Sequence, residues 1–312
     1  MKNRSSTIER GNMAASDHEF GGISTDLKLS LVESYLRAFT TALKGKFSEL
    51  WFIDAFAGTG ERTVRVPGRS GDLLESPIEE RLDRRRGSAR IAIEVAPPFD
   101  RLIFMDRNPR HCAALHELKA THPDRSIDII EGDANEAIIS GIDLDRWKRI
   151  RAVMFLDPYG MSVEWRTLEA IRSTEAIDVW YLVSLAGLFR QAARRADALD
   201  ESKRAALTRM LGTADWERAW YQRTQSEDLF GQLDEVQARI ADVEAMESYV
   251  GERLRTLFPK VLPPLRLRDA RGVPQFALFF AISNPEPKAI GLASKIAGHI
   301  LKSGKSSQVR PR

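Results

Sequence analysis

Four short apolar runs, each closed by an acidic residue at its end or just past it, constrain this chain more than any other feature. Leu50-Trp-Phe-Ile53 runs into Asp54, and Arg101-Leu-Ile-Phe-Met105 into Asp106. Ile127-Asp-Ile-Ile130 runs into Glu131-Gly-Asp133, and Ala152-Val-Met-Phe-Leu156 into Asp157. The runs are too short for typical helices and read as buried strands. Val179-Trp-Tyr-Leu-Val-Ser184 is a fifth. Helices fill the intervals. Leu29, Val32, Leu36, Phe39 and Leu43 step by three and four behind a cap at Ser24 or Thr25, and Gly45 closes that helix. Gly87-Ser88 opens a helix that Pro97-Pro98 stops, and further helices are expected over 111–120, 134–140 and 164–173. Strand-helix alternation predicts a parallel sheet with helices on both faces, and right-handed crossovers make it doubly wound.

The organisation follows from the same pass. Residues 1–22 are expected to be a flexible tail, 23–302 a single domain, and 303–312 a second flexible tail. Residues 61–86 form an Arg- and Gly-rich excursion. Residues 187–258 read as a helical insertion with no strand-like run. Segments 261–268 and 275–282 read as two strands that pair as an antiparallel hairpin across Asp269-Ala-Arg-Gly272, with a last helix over 286–301.

Composition excludes several classes. A chain of 312 residues, 43% hydrophobic and 29% charged, can build the core of one large α/β domain. No apolar run approaches the ~18 residues of a membrane span, so no membrane partner is expected. The first ten residues lack the apolar segment of a secretory signal. Cys112 is the single cysteine, which excludes a disulfide framework and a cysteine-rich zinc site and makes the cytoplasm the default. The five histidines form no ligand pattern, so no metal is expected, and Ser184 lacks a nucleophile-elbow context. A net charge of +3 does not by itself indicate nucleic acid. The arginines at 62, 65, 69, 81, 84, 85, 86 and 90 are either a solvated, charge-laced surface or a contact surface.

Ligands of open α/β sheets bind beyond the carboxyl ends of the strands, where these acidic residues fall. One such Asp is ordinary turn or cap chemistry, but four on one rim repel one another unless a ligand or partner compensates. Asp54-Ala55-Phe56-Ala57-Gly58-Thr59-Gly60 adds a glycine turn where a ligand can approach the backbone. It lacks G-x-G-x-x-G and a P-loop lysine, which disfavours a pyrophosphate or triphosphate cradle and an NAD-type oxidoreductase. A ligand with a cationic sulfonium and an amino-acid tail suits an acidic rim better. Asp106 is placed to accept from ribose hydroxyls, and Asp133-Ala134-Asn135 to face an adenine. Asp157-Pro158-Tyr159-Gly160 is either a strand-ending turn with an aromatic lid or a substrate clamp in which Tyr159 stacks on a flat group.

The order of these pieces resembles the class I S-adenosylmethionine-dependent methyltransferases, and in particular the three-Cys-motif partner proteins, from about Thr25 to Leu301. The carrying segments are Phe52–Gly60, Gly87–Glu94, Gly132–Asn135, Val153–Gly160, Ile177–Leu182 and Phe280–Pro285. The resemblance implies a Rossmann-like, mostly parallel seven-stranded sheet whose last strand is antiparallel. It implies S-adenosylmethionine as cofactor. Asp54, Gly58 and Gly60 would surround its methionine moiety, Asp106 would hold its ribose and Asp133 its adenine edge, with Ala55, Phe56, Arg107, Ala134 and Asn135 also in the cofactor site. Asp157, Pro158 and Tyr159 lie where amino-methyltransferases of nucleic acid carry Asp/Asn-Pro-Pro-aromatic, which implies a DNA or RNA amine as acceptor. This chain has one proline there, with Tyr159 directly after it. The resemblance also implies a radical-SAM-like three-cysteine protein as partner. The alternative function is a degenerate cofactor-binding accessory subunit that recognises nucleic acid or a partner protein.

Overall fold

A computed structural model of the chain describes residues 9–66, 81–227, 233–269 and 271–308. In chain order the elements are α1 (Glu9–Leu43), β1 (Glu49–Asp54), β2 (Glu61–Val66), β3 (Arg81–Arg86), α2 (Ser88–Glu94), β4 (Arg101–Asp106), α3 (Pro109–Ala120) and β5 (Ile127–Glu131). Next come α4 (Ala134–Ser140), α5 (Leu144–Trp147), β6 (Ile150–Leu156), α6 (Trp165–Ser173), β7 (Ile177–Ser184), α7 (Leu185–Gln191), α8 (Glu201–Leu211) and α9 (Asp215–Trp220). The last elements are β8 (Tyr221–Glu227), β9 (Leu233–Arg239), α10 (Val243–Leu257), β10 (Lys260–Val261), β11 (Leu265–Arg268), β12 (Pro274–Ile282) and α11 (Pro287–Gln308).

The main sheet runs β5-β4-β1-β6-β7-β12, and β10 and β11 share the outer edge of β12. The first five strands are parallel, and β12 is antiparallel to β7. This is the doubly wound α/β sheet that the strand-helix alternation predicts, seven positions wide, with the expected antiparallel strand at its end. The reason is visible in β1, where five successive residues from Leu50 to Asp54 are buried. A strand covered on both faces has no wet side, so its sequence is apolar without alternation. Successive residues still serve different faces: Trp51 and Ile53 join a core with α4, α6 and α10, whereas Leu50 and Phe52 join one with α1, α2 and α11. A wholly buried Phe52 or Phe155 contributes about 2–3 kcal/mol from apolar burial alone.

Several boundaries differ from the sequence expectation. Helix α1 begins at Glu9, so residues 9–22 of the expected tail are helical, and α11 carries on to Gln308. The sequence shows no apolar stripe before Leu27, and periodicity had nothing to register there. Residues 1–8 and 309–312 lie outside the described residues. The Arg-rich excursion holds an antiparallel hairpin, β2 with β3, and its residues 67–80, Arg69 included, are not among those described. The strand expected over 261–268 is split into β10 and β11 around Pro263 and Pro264, which have no N–H to give a ladder. The turn expected between β11 and β12 is present at Asp269 and Gly272, with Ala270 outside the described residues.

The expectation of an all-helical insertion is corrected. Within 187–258 lies a second hairpin, β8 paired with β9 from Tyr221↔Arg239 to Glu227↔Leu233. Gln222, Arg223, Thr224 and Gln225 are all exposed, and so are Glu235 and Gln237 across from them. A ribbon wet on both faces has no burial alternation to write into its sequence. Among the described residues no helix is long and apolar enough to cross a membrane.

Candidate active site at the strand ends

A cleft of ≈ 910 Å³ opens beyond the carboxyl ends of β1 and β6. Its walls come from the glycine turn after β1 (Phe56 to Gly60), the start of α2 (Gly87, Ser88), the turn after β6 (Asp157 to Gly160), and Thr25, Lys28 and Leu29 of α1. Leu267, Arg268, Asp269 and Arg271 close it on the β11 side, and Arg190 of α7 reaches its rim.

Asp54 ends β1 and is wholly buried. Its Oδ1 accepts from Phe56 N at 3.2 Å, which folds the chain back into the turn, while Oδ2 is buried without a hydrogen bond of normal geometry. Burial pushes this carboxyl up to about 7, and the nearby Asp157 charge adds to the rise. The Ser88 hydroxyl, the Phe56 N–H and the Lys28 charge pull it part of the way back. Gly58 and Gly60 have φ of +61° and +72°, the left-handed region that glycine enters without strain. They serve different purposes. A Cβ on Gly58 would meet nothing within 4 Å, so the space before it is open. A Cβ on Gly60 would lie 2.8 Å from Leu118 Cδ2, so this glycine lets the turn pack on α3.

Asp106 ends β4 behind the same turn. Its Oδ2 accepts from Gly58 N at 2.9 Å and its Oδ1 from Asn108 N at 2.8 Å, so the carboxylate joins the glycine turn to the next strand end. His111 lines the cleft beside it, with Nδ1 buried 3.1 Å from Asp106 Oδ1 but out of line for a normal hydrogen bond. Arg107 is exposed.

Asp133 caps α4. Burial alone would raise its pKa, but Asn135 N at 2.8 Å, Asn135 Nδ2 at 3.0 Å and Glu136 N at 3.4 Å outweigh it and hold the carboxyl below its usual range. Asn135 is 5% exposed and spends all four positions of its amide inside the protein. Nδ2 donates to Asp133 Oδ1 and to Ser162 O, and Oδ1 accepts from Glu164 N at 3.0 Å and Thr167 Oγ1 at 2.8 Å. The Asn135 side chain, expected to face an adenine, instead spends its hydrogen bonds in this structure on pinning α4 to the start of α6. Ala134 is buried beneath it. Asp133, Ala134 and Asn135 do not line the cleft.

Asp157, Pro158 and Tyr159 do line it. Tyr159 is 71% exposed at the rim, and its carbonyl accepts from Ser162 Oγ at 2.6 Å. Asp157 Oδ2 accepts from the Lys28 ammonium of α1, which is 8% exposed. Sequence reasoning missed Lys28, although a signal was present: Lys28, Val32, Tyr35 and Phe39 share one face of α1, and a lysine on a buried stripe asks for a counter-ion. It also missed Ser88, Arg190 and the placement of His111. Of the predicted residues the structure thus brings Phe56, Gly58, Gly60 and Asp157-Pro158-Tyr159 to the lining of one cleft; Asp54 and Asp106 are buried behind its glycine turn, and Ala55, Arg107 and residues 133–135 are outside its lining. Among the described residues, no group of three or more His, Cys, Asp or Glu side chains is placed to share a metal ion.

No protein-family model matches the chain, and no curated protein does. Among solved structures the chain is similar to protein LPL1258 of Legionella pneumophila, at 12% identity and a TM-score of 0.45 over 88% of this chain and 93% of that one. It is similar to an S-adenosylmethionine-dependent methyltransferase of Clostridium acetobutylicum, at 8% identity and 0.34 over 85% and 98% of the two chains. It is also similar to the plantazolicin methyltransferase BpumL in complex with SAH, at 8% and 0.33 over 88% and 92%. The strand order and orientation given above, not these likenesses, define the fold.

Proposed function

We propose that the chain binds S-adenosylmethionine in this cleft and transfers its methyl group to an amine held by Asp157. The observation that carries the reading is Asp54: a wholly buried carboxyl at the end of the first strand, behind a glycine turn, whose Oδ2 has no hydrogen bond of normal geometry and only the Ser88 hydroxyl and the Lys28 charge to favour its ionised form besides the Phe56 N–H. A buried carboxyl so weakly satisfied is costly to ionise, and a cationic ligand group relieves that cost. The cofactor's α-ammonium fits that need, and the open space before Gly58 admits the rest of the molecule past the backbone. Asp106, with each oxygen taking a single backbone donor, keeps lone pairs for ribose hydroxyls. When bound, the cofactor supplies an electrophilic methyl on a sulfonium. The chain's own residues then position rather than activate: Asp157 orients an amine and Tyr159 offers a ring to stack on a flat acceptor.

The acceptor we propose is an amino group of a nucleic-acid base. In support, Arg190, Arg268 and Arg271 line the same cleft as Tyr159, and Arg190 makes no ion pair among the described residues. Pairing with a three-cysteine radical-SAM-like protein, membership of the three-Cys-motif partner family, and a cytoplasmic location rest on the sequence resemblance and the lone Cys112. A second reading, a cofactor-binding accessory subunit without transferase activity, is favoured by one observation: Lys28 already fills Asp157.

Isotope-labelled S-adenosylmethionine incubated with the chain and with separate pools of DNA, RNA and protein tests the reading. Label is expected in nucleic acid with wild type and lost with Asp157→Ala, while that variant still binds cofactor with an affinity within about tenfold. Cofactor binding without label in any pool supports the accessory reading. No cofactor binding refutes both.

A further inference from the structure

Lys28 stands between the two functional halves of the cleft. Its ammonium is paired with Asp157 Oδ2 at the end of β6 and lies 6.0 Å from the centroid of the Phe155 ring. Its charge also acts on Asp54 at the end of β1, as does that of Asp157. One cation therefore serves two carboxylates, one on the side assigned to the cofactor and one on the side assigned to the acceptor. Helix α1, which carries Lys28, is held from both directions. Tyr35, in its C-terminal third, donates to Asp178 Oδ2 at 2.6 Å, and Arg85 and Arg86 of β3 pair with its Asp26 and Glu33. Lys28 is therefore delivered to this place by the fold and is not a surface lysine caught in passing.

An amine already sits where the acceptor amine belongs, so transfer requires it to leave. A sulfonium is the natural agent. With the cleft empty, Lys28 compensates the paired carboxylates; a second positive charge beside Asp54 makes that compensation redundant and repels the ammonium. At the effective dielectric of a half-buried site, two like charges sharing a cleft shift an equilibrium by about tenfold or more.

We propose that Lys28 is a positioning residue that occupies Asp157 in place of the acceptor amine and is driven off by the positive charge of the methyl donor, so that Asp157 becomes available only behind a charged cofactor. This rests on reading the cleft as an S-adenosylmethionine site. It makes the cleft discriminate by charge between the sulfonium donor and its neutral product, S-adenosylhomocysteine, which differ by the methyl group and the positive charge it confers.

Calorimetric titration of the full chain with each of the two compounds separates the possibilities. The readout is the ratio of the two dissociation constants. Lys28→Met, which removes the repelling charge, is expected to move the ratio about tenfold toward S-adenosylmethionine. Lys28→Arg is expected to restore the wild-type ratio. Asp157→Asn, which leaves Lys28 charged and unpaired, is expected to move it the opposite way, and keeps the test open if Lys28→Met does not fold. Ratios within twofold of wild type in both Lys28→Met and Asp157→Asn overturn the gate while leaving the cofactor reading intact. Wild type that binds neither compound overturns both.

Discussion

Lys28 and Asp157, 129 residues apart in the chain, meet as an ion pair that joins α1 to the end of β6. The side chains are 10% and 27% exposed, so the pair is drier than a surface bridge. Removing one member of such a pair leaves an uncompensated charge, whose cost exceeds the net worth of the pair. Lys28→Met is expected to destabilise the fold by about 1–3 kcal/mol, because Asp157 then loses its cation while its charge still acts on the buried Asp54. Adding Asp157→Asn is expected to recover most of that loss. Chemical denaturation of the two singles and the double forms the cycle. Simple additivity would show that the pair carries no coupling.

The two glycines after β1 are expected to fail differently. The Cβ that Gly58→Val adds meets no atom within 4 Å, so its damage falls on the open space and on a φ of +61°. It is expected to abolish cofactor binding while the chain still melts cooperatively. Gly60→Ala adds a Cβ 2.8 Å from Leu118 Cδ2 at a φ of +72°. It is expected to lower stability by about 1–3 kcal/mol through strain and overpacking. Thermal melting and calorimetry on each variant separate the two. S-adenosylmethionine binding to Gly58→Val as tightly as to wild type would remove the cofactor from this turn.

The parallel strands were legible because burial on both faces makes β1, β4, β6 and β7 apolar throughout, and the acidic residues at their ends marked the rim that carries the cleft. The β8–β9 ribbon was not legible, since residues such as Gln222 and Thr224 are exposed and encode no face. The site was read in part for a related reason. Sequence shows that Asp54, Asp133 and Asp157 each follow a strand, but not where their oxygens are spent. Asp54 keeps one oxygen unpartnered, Asp133 gives one of its own to the cap of α4, and Asp157 takes a lysine from far along the chain. Three similar residues in three similar places thus spend their oxygens in three different ways, and only the fold distinguishes them.

Asn135 offers a direct check of that distinction. Its amide makes four hydrogen bonds inside the protein, worth about 1 kcal/mol each in net terms. Asn135→Ala also leaves the Ser162 carbonyl and the Thr167 hydroxyl short of a partner. The variant is expected to lose about 2–4 kcal/mol of stability and, at a temperature where it is folded, to bind cofactor as wild type does. Unchanged stability with weakened binding would return Asn135 to the adenine.

Asp178 is expected to make stability depend on pH, in a direction that its burial sets. Burial pushes its carboxyl up to about 7, against the Tyr35 hydroxyl and the Arg151 charge, which pull it down. A carboxyl raised in the folded state holds its proton there after the unfolded chain has released it. Between pH ~4 and ~7 the native state then binds more protons than the unfolded state, and stability falls as pH rises through that window. Asp54, raised to about 7 mainly by burial, adds in the same direction. Asp178→Asn keeps an acceptor for the Tyr35 hydroxyl but does not titrate. Its melting temperature is expected to gain on wild type from pH 5 to pH 8, by roughly 2 °C for each kcal/mol of the wild-type penalty that it removes. Parallel melting curves for the two proteins across that range would show Asp178 ionised as freely in the fold as in the unfolded chain.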